Sequence, residues 1–463
     1  MDVAGTEILL PTTMVGNYPN PRWYDGYAHS RLPAGTLVYD SLTREAYEDA
    51  ILAVVHDQEA AGLDIISDGR VHGGDSPYAQ VVYHYYERMR GYEMDGPQLG
   101  LPIYSTLFAP TVTGAVSRRT SFAGPTLRAV RKATSKPVKV SYQGIHVLAA
   151  ASNDLFYKDM KELATAIARA YHEDFLELAE AGAEIIQLDE FLWPYEMSDW
   201  QVEVFNLAVD DVPGVQFWVH TCWGNYGGTP GYLPDETAEQ EFGAYVLANR
   251  KIGAAAPDRA VGLFPKVHEV HLTALNWEVG RTGPDDLKPL ADNNWTKPFV
   301  AGVIDVKSTV TETAEEVADR IRQVLEYVPA DKLGLTTDCG LVMLQRMTAQ
   351  SKLRALAEGA AIVRAELAGG RASGLAGAGA SPAPAGPTAA SRTAASPAVR
   401  ASPIPGQPHR APAPQVARQP SQGETHGDPR SGRTAPDLGR IGVPAAALAA
   451  GPGTRLAARA GLP

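Results

Sequence analysis

Short apolar runs rich in β-branched and aromatic residues recur along the first 370 residues. They alternate with longer stretches in which apolar positions return every three or four residues. The runs are TTMVGNY (12–18), DIISDGR (64–70), KPVKVSYQG (136–144), EIIQLDE (184–190), QFWVHTCWG (216–224), EVHLTAL (269–275), FVAGVID (299–305) and LGLTTDCG (333–340). Between them, 163–181 carries apolar residues at helical spacing, with Gly182 placed to stop the helix. Near-continuous apolar strands need a sheet covered on both faces, so eight of them alternating with helices predict an α/β fold, a (β/α)8 TIM-type barrel. The stretch 71–135 is long for one connection and predicts an excursion over the barrel mouth. No internal repeat at a short fixed period is present.

Apart from 269–275, each run ends in groups too polar for a core: Asn17, Asp68 with Arg70, Gln143, Asp189 with Glu190, His220 with Cys222, Asp305 and Cys339. In a barrel the C-terminal strand ends converge on one face, so this pattern predicts a single catalytic mouth. Along a strand, side chains two apart share a face, so His220 and Cys222 point the same way. The chain's other cysteine, Cys339, occupies a corresponding strand end. Two thiolates and an imidazole suit Zn²⁺ and leave it an open position. The competing reading makes each cysteine a buried apolar filler and has His220 bond the backbone. Both cysteines lying at predicted strand ends favours the metal.

Composition changes the picture near residue 370. Residues 371–463 contain no Phe, Trp, Tyr, Cys, Met or Lys, and ten arginines against three acids leave the segment at +7. Such a stretch has too few large apolar groups to offset the ordering entropy of its backbone, so it predicts a disordered tail beyond a catalytic domain of residues 1–370. An anion-binding arm, or sequence without selected structure, are the alternatives. A net charge of −12 for the whole chain argues against a nucleic-acid surface. No run approaches the ~18 consecutive apolar residues of a membrane span. The N-terminus has no secretory pattern, so a cytoplasmic protein is expected. No dinucleotide or phosphate-loop fingerprint is present, and zinc is the one cofactor expected. The oligomeric state stays open.

The order VGNYPNP, GLDIISDGR, EIIQLDE, VHTCWGN and TTDCGL resembles the catalytic barrel of cobalamin-independent methionine synthase over nearly all of residues 10–365. The resemblance implies zinc at His220, Cys222 and Cys339, with a substrate thiol in the open position. Two departures stand out. The resemblance implies an acidic zinc ligand late in the strand that corresponds to 269–275, where this chain reads Thr273, with Glu269 or Glu278 as substitutes. The family also has glutamate after the glycine of Gly69-Arg70, where it helps hold the ammonium of homocysteine. An arginine there reverses the charge and offers a planar donor fork to carboxylate, sulfonate or phosphate. The thiol accepted should therefore carry an anion, and coenzyme M fits.

A narrower match agrees: NYPNPRWYD (17–25) and VKSTVTETA (306–314) resemble the epoxyalkane:coenzyme M transferases of bacteria that grow on alkenes. That family implies conversion of an epoxide and coenzyme M to a 2-hydroxyalkyl-coenzyme M. Methyl transfer to homocysteine or another small thiol is the alternative. Arg70 is the expected sulfonate ligand, with His72 and Lys307 as weaker candidates and a structural ion pair as its competing role. Asn17 and Glu190 are also expected at the substrate. His271, Tyr142 and Asp189 are candidate proton donors, although Asp189-Glu190 more readily orients the site. Trp23, Tyr24, Trp193, Tyr195, Trp218 and Trp223 are expected to pack the core or mouth, some of them around a small epoxide.

Overall fold

The expected strands pair in parallel, in an order that follows the chain. A computed structural model describes residues 1–24, 41–71, 83–94, 98–101, 105–108, 110–194, 197–221, 261–281, 283–342 and 344–376. All of them lie in one compact unit, Met1–Ala383. The strands are β1 (Ile66–Ser67), β2 (Val138–Gln143), β3 (Ile185–Asp189), β4 (Gln216–His220), β5 (Ala274–Glu278), β6 (Phe299–Ile304) and β7 (Leu333–Thr337). Each pairs with the next to form a seven-stranded parallel sheet.

The eighth stave is residues 11–13, which stand between β7 and β1. Thr12 bridges Leu335 in parallel, and its carbonyl accepts the backbone N–H groups of Asp64 and Ile65 at 3.1 and 3.0 Å. The ring is therefore closed and the fold is the (β/α)8 barrel. The run 12–18 pairs less than its pattern predicts for a physical reason. Beyond Thr13 the carbonyls of Met14 and Val15 turn inward onto side chains of β2 and β3 rather than onto a neighbouring backbone.

Alternation sorts the strand residues between two cores. Met1, Val3, Ile65, Ile185, Trp218, Ala274 and Val300 form a small apolar cluster inside the barrel. The opposite parity faces the helices α1 (Ser41–Ala61), α2 (Gly124–Ala133), α3 (Ile145–Ala150), α4 (Met160–Glu180), α5 (Asp199–Val209), α6 (Lys288–Asp292), α7 (Ala314–Val324) and α8 (Arg346–Ala376). α4 shows the local logic. Asp159 caps it by accepting from Glu162 N; Leu163, Ile167, Tyr171 and Leu178 bury one face. Gly182 (φ +83°) then turns the chain into β3 in a conformation that favours glycine. Each such buried side chain contributes about 1.5–3 kcal/mol. The excursion after β1 holds an antiparallel pair, Met89–Glu93 with Thr111–Arg118, and a hairpin, Gln98–Leu101 with Ser105–Phe108.

One strand is displaced from its predicted span. The sixth was expected over 269–275, but β5 begins at Ala274 and ends at Glu278. Residues 270–273 precede it as an amphipathic segment, with Val270 and Leu272 buried and His271 exposed, which mimics a strand in sequence. No helix among the described residues is long and apolar enough to cross a membrane. The last helix continues to Ala376, past the boundary expected at 370. Residues 377–463 lie outside the described residues.

Candidate active site

Register brings the polar strand ends together. Asp189 pairs with His220 across β3 and β4, and His220 with Asn276 across β4 and β5, so the three side chains share the inner face. His220 Nδ1 lies 2.6 Å from Asn276 Oδ1. An amide oxygen can only accept, so the imidazole proton sits on Nδ1 and Nε2 presents its lone pair. That Nε2 is buried and has no oxygen or nitrogen partner. Burial alone would pull the His220 pKa down. The Cys339 thiol beside the ring, the Asp189 carboxylate and Asn276 outweigh it and raise the pKa.

The loop after β5 is pinned to the same place. The buried Asp338 carboxylate accepts the backbone N–H groups of Val279, Gly280 and Arg281 at 3.3, 2.9 and 3.1 Å, next in sequence to Cys339. Glu278 ends β5, is fully buried and pairs with Lys307. The displaced strand thus corrects one expectation. Thr273 and Glu269 precede β5, whereas Glu278 stands at the strand's C-terminal end, where the family resemblance asks for an acid.

These donors fit a soft divalent metal in part. A lone imidazole nitrogen with its tautomer fixed from behind and a neighbouring thiol are the donor types zinc takes. Among the described residues, no three His, Cys, Asp or Glu side chains already converge as a cage. Cys222, two residues beyond His220, lies outside the described residues.

Across the mouth, Arg70 is buried and held in left-handed backbone (φ +47°), following Gly69 at φ +68°. Such a conformation costs a non-glycine residue of the order of 1 kcal/mol and marks a side chain turned to a particular direction. Its Nη2 donates to the Tyr142 carbonyl at 2.7 Å and meets the Asp189 carboxylate at 2.8 Å, while its Nε is buried without a partner. Asp68 is also buried with Oδ2 unpartnered, and burial pushes its pKa up to about 6 against the pull of Arg70.

Several expected residues are brought to this mouth and others are not. Asn17 packs against Gly340, where an added Cβ would come within 3.0 Å of its own, and its carbonyl accepts Leu341 N at 2.7 Å. Asp189 is engaged by Arg70 and by Gln187 Nε2 at 2.9 Å, an orienting arrangement. Glu190 has the opposite parity: it accepts the backbone N–H of His146 at 3.3 Å and stands 3.0 Å from the His146 ring; Gly144 leaves room, since a Cβ there would meet the Glu190 carboxylate at 2.5 Å. Tyr142 also faces outward, and its hydroxyl donates to Asp174 of α4 within a ring of aromatics. That parity removes its hydroxyl from the barrel interior. His271 precedes β5, at the end of the barrel opposite the mouth, with its exposed ring 2.5 Å from Asp210. Of the aromatic residues, Trp218 belongs to the closed inner cluster and Trp193 is buried against Phe205, while Trp23 is half exposed. His72, Tyr195, Cys222 and Trp223 lie outside the described residues. Asn276, His146, Lys139 and Gln187 escaped the sequence reading. The inward alternation of VKVSYQ and IIQLD marks Lys139 and Gln187 once the strands are aligned.

The same barrel occurs in known proteins. Residues 10–209 and 257–361 match the family described as the cobalamin-independent synthase, catalytic domain, and the chain belongs to that family. Within it, the chain is 50% identical over 376 residues to 2-hydroxypropyl-CoM lyase of Xanthobacter autotrophicus, a match spanning 80% of this chain and 98% of that protein. It is 29% identical to a methionine synthase of Saccharolobus solfataricus over 78% of this chain and 96% of the other. Among solved structures, a B12-independent methionine synthase from Shewanella in complex with selenomethionine superposes with a TM-score of 0.65 at 28% identity, covering 78% of this chain and all of that one.

Proposed function

We propose that the protein is a zinc-dependent alkyltransferase that joins the thiol of coenzyme M to a short epoxide, giving a 2-hydroxyalkyl-coenzyme M. The observation that carries this reading is Arg70, a buried guanidinium at the mouth that is held by Asp189 and keeps an Nε–H without a partner. The 50% identity to a lyase whose name specifies a CoM adduct supports it. His220, Cys222 and Cys339 would hold the metal, with Glu278 as the fourth candidate. A free thiol with a pKa of ~8.5 is mostly protonated at neutral pH, and bound Zn²⁺ supplies the acidity that keeps the sulfur as a thiolate.

The residues of the chain then bind and orient. Arg70 takes the sulfonate, Asp189 fixes the guanidinium, and Asn17 closes the wall beside Cys339. In the reaction one C–S bond forms, one C–O bond of the strained ring breaks, and the thiol's proton ends on the new hydroxyl, so no oxidant or reductant is needed. Glu278 at the strand end favours a second reading, methyl transfer to a thiol such as homocysteine, because it removes one apparent departure from the methionine synthases. The test is consumption of epoxyethane by zinc-loaded protein with coenzyme M and homocysteine as parallel thiols. Turnover with coenzyme M alone, abolished in Cys222→Ala, supports the first reading. No turnover with coenzyme M in fully metallated protein discards it, and methylation of homocysteine would install the second.

A further inference from the structure

A lysine buried inside the barrel is wired to the anion-binding side of the mouth. Lys139 on β2 has no exposed surface, and its Nζ donates to the carbonyls of Met14 and Val15 at 2.6 and 3.2 Å and to Gln187 Oε1 at 2.6 Å. Three acceptors and no donor surround it, a setting that uses all three N–H groups of an ammonium. The amide of Gln187 passes the connection on, since its Nε2 donates to Asp189 Oδ1 at 2.9 Å and to Val15 O at 2.8 Å. Asp189 Oδ2 then meets Arg70 at 2.8 Å. One unbroken chain therefore runs Lys139–Gln187–Asp189–Arg70.

We propose that Lys139 is a positioning residue for anion recognition: as an ammonium it orients Gln187 and Asp189 so that the Arg70 fork is fixed and the mouth stays receptive to an anionic thiol. Charge makes the same point. The groups facing Lys139 are Asp189 of β3, Asp68 and Arg70 following β1, and the Trp218 ring of β4 at 5.7 Å, while the Met14–Val15 segment offers only carbonyls. With both acids ionised, Arg70 alone leaves this corner negative, and Lys139 restores neutrality before the substrate's anion enters. Burial lowers its pKa from 10.5 to about 7, so that contribution fades as pH rises through neutrality.

This inference rests on Arg70 as the sulfonate ligand, and the experiment separates the two. Calorimetry on zinc-loaded protein would compare coenzyme M with ethanethiol, which shares the thiol and lacks the sulfonate, so their affinity ratio isolates anion recognition. The ratio in the wild type should exceed one and fall as pH is raised from about 6 to 8.5. Lys139→Met and Gln187→Leu should each lower it roughly three- to thirtyfold. Lys139→Met should also lose its pH dependence while ethanethiol affinity and zinc content hold. Should Lys139→Met not fold, Gln187→Leu and the wild-type pH series decide the matter alone. A wild-type ratio of one overturns the reading of Arg70 itself. A ratio that collapses in Arg70→Leu but persists at every pH in the Lys139 and Gln187 variants overturns the inference and leaves that reading standing.

Discussion

Replacing Asn276 tests whether His220 is a prepared metal ligand. Leucine has the same branching and the same number of heavy atoms, so Asn276→Leu removes the acceptor 2.6 Å from His220 Nδ1 without opening a cavity. The change deletes a hydrogen bond of about 1 kcal/mol and strands a buried N–H at a further cost of roughly 1–3 kcal/mol. It also frees the imidazole to carry its proton on Nε2, the atom that has no oxygen or nitrogen partner in the native site. Outer partners of metal-bound histidines typically account for about 10- to 100-fold in affinity, and the two costs together favour the upper half of that range. The assay is competition for zinc against a chromophoric chelator at fixed pH, with near-UV circular dichroism to establish that the variant is folded. Asn276→Asp is the control, because a carboxylate accepts the Nδ1–H more strongly and should keep zinc affinity at or above the native value. A folded Asn276→Leu that binds zinc as tightly as the wild type would refute the reasoning, and so would equal losses in both variants.

The remaining predictions concern Arg70, Asp68 and the two candidates away from the mouth. Arg70→Leu should raise KM for coenzyme M about 10- to 100-fold, and steady-state kinetics would show Arg70→Lys failing to restore it because an ammonium lacks the fork. Asp68 has a folded-state pKa of about 6 against 3.8 unfolded, so the native state binds the extra proton between those values and stability falls as pH rises through that window. At neutral pH the penalty reaches about 3 kcal/mol at roughly 1.4 kcal/mol per pH unit. Asp68→Asn should therefore be more stable than the wild type by up to that amount at pH 7.5 and no more stable below about pH 4, read by denaturant unfolding. Tyr142→Phe should cost about 1–2 kcal/mol in stability through the lost bond to Asp174 and leave kcat/KM within a factor of about two, the scale of a change that touches no reacting group. His271→Ala should alter stability by less than about 1 kcal/mol, as an exposed pair does, with activity unchanged.

What the chain made legible depended on whether polarity or periodicity carried the information. His220 and Cys339 stand out as candidates because thiols are scarce in this chain and both residues terminate apolar runs, and Arg70 because a charge stands beside a glycine at a strand end. β5 was misread because its inward residues near the mouth, Asn276 and Glu278, are polar, whereas the segment beneath it alternates as a strand would. A barrel strand inverts its hydrophobic signal where it approaches the mouth, so the polar residues that stand there erase the periodicity that would locate them. Tyr142 failed for the complementary reason: standing near a strand end is not sufficient, since alternation sends every second side chain to the helices. The same alternation, applied after alignment, assigns Lys139 and Gln187 to the barrel interior, where a charged group is costly unless it is paired. A lysine placed there, with three acceptors and a hydrogen-bonded route through Gln187 and Asp189 to Arg70, is better explained by the anion that Arg70 is proposed to bind than by any need of the barrel core.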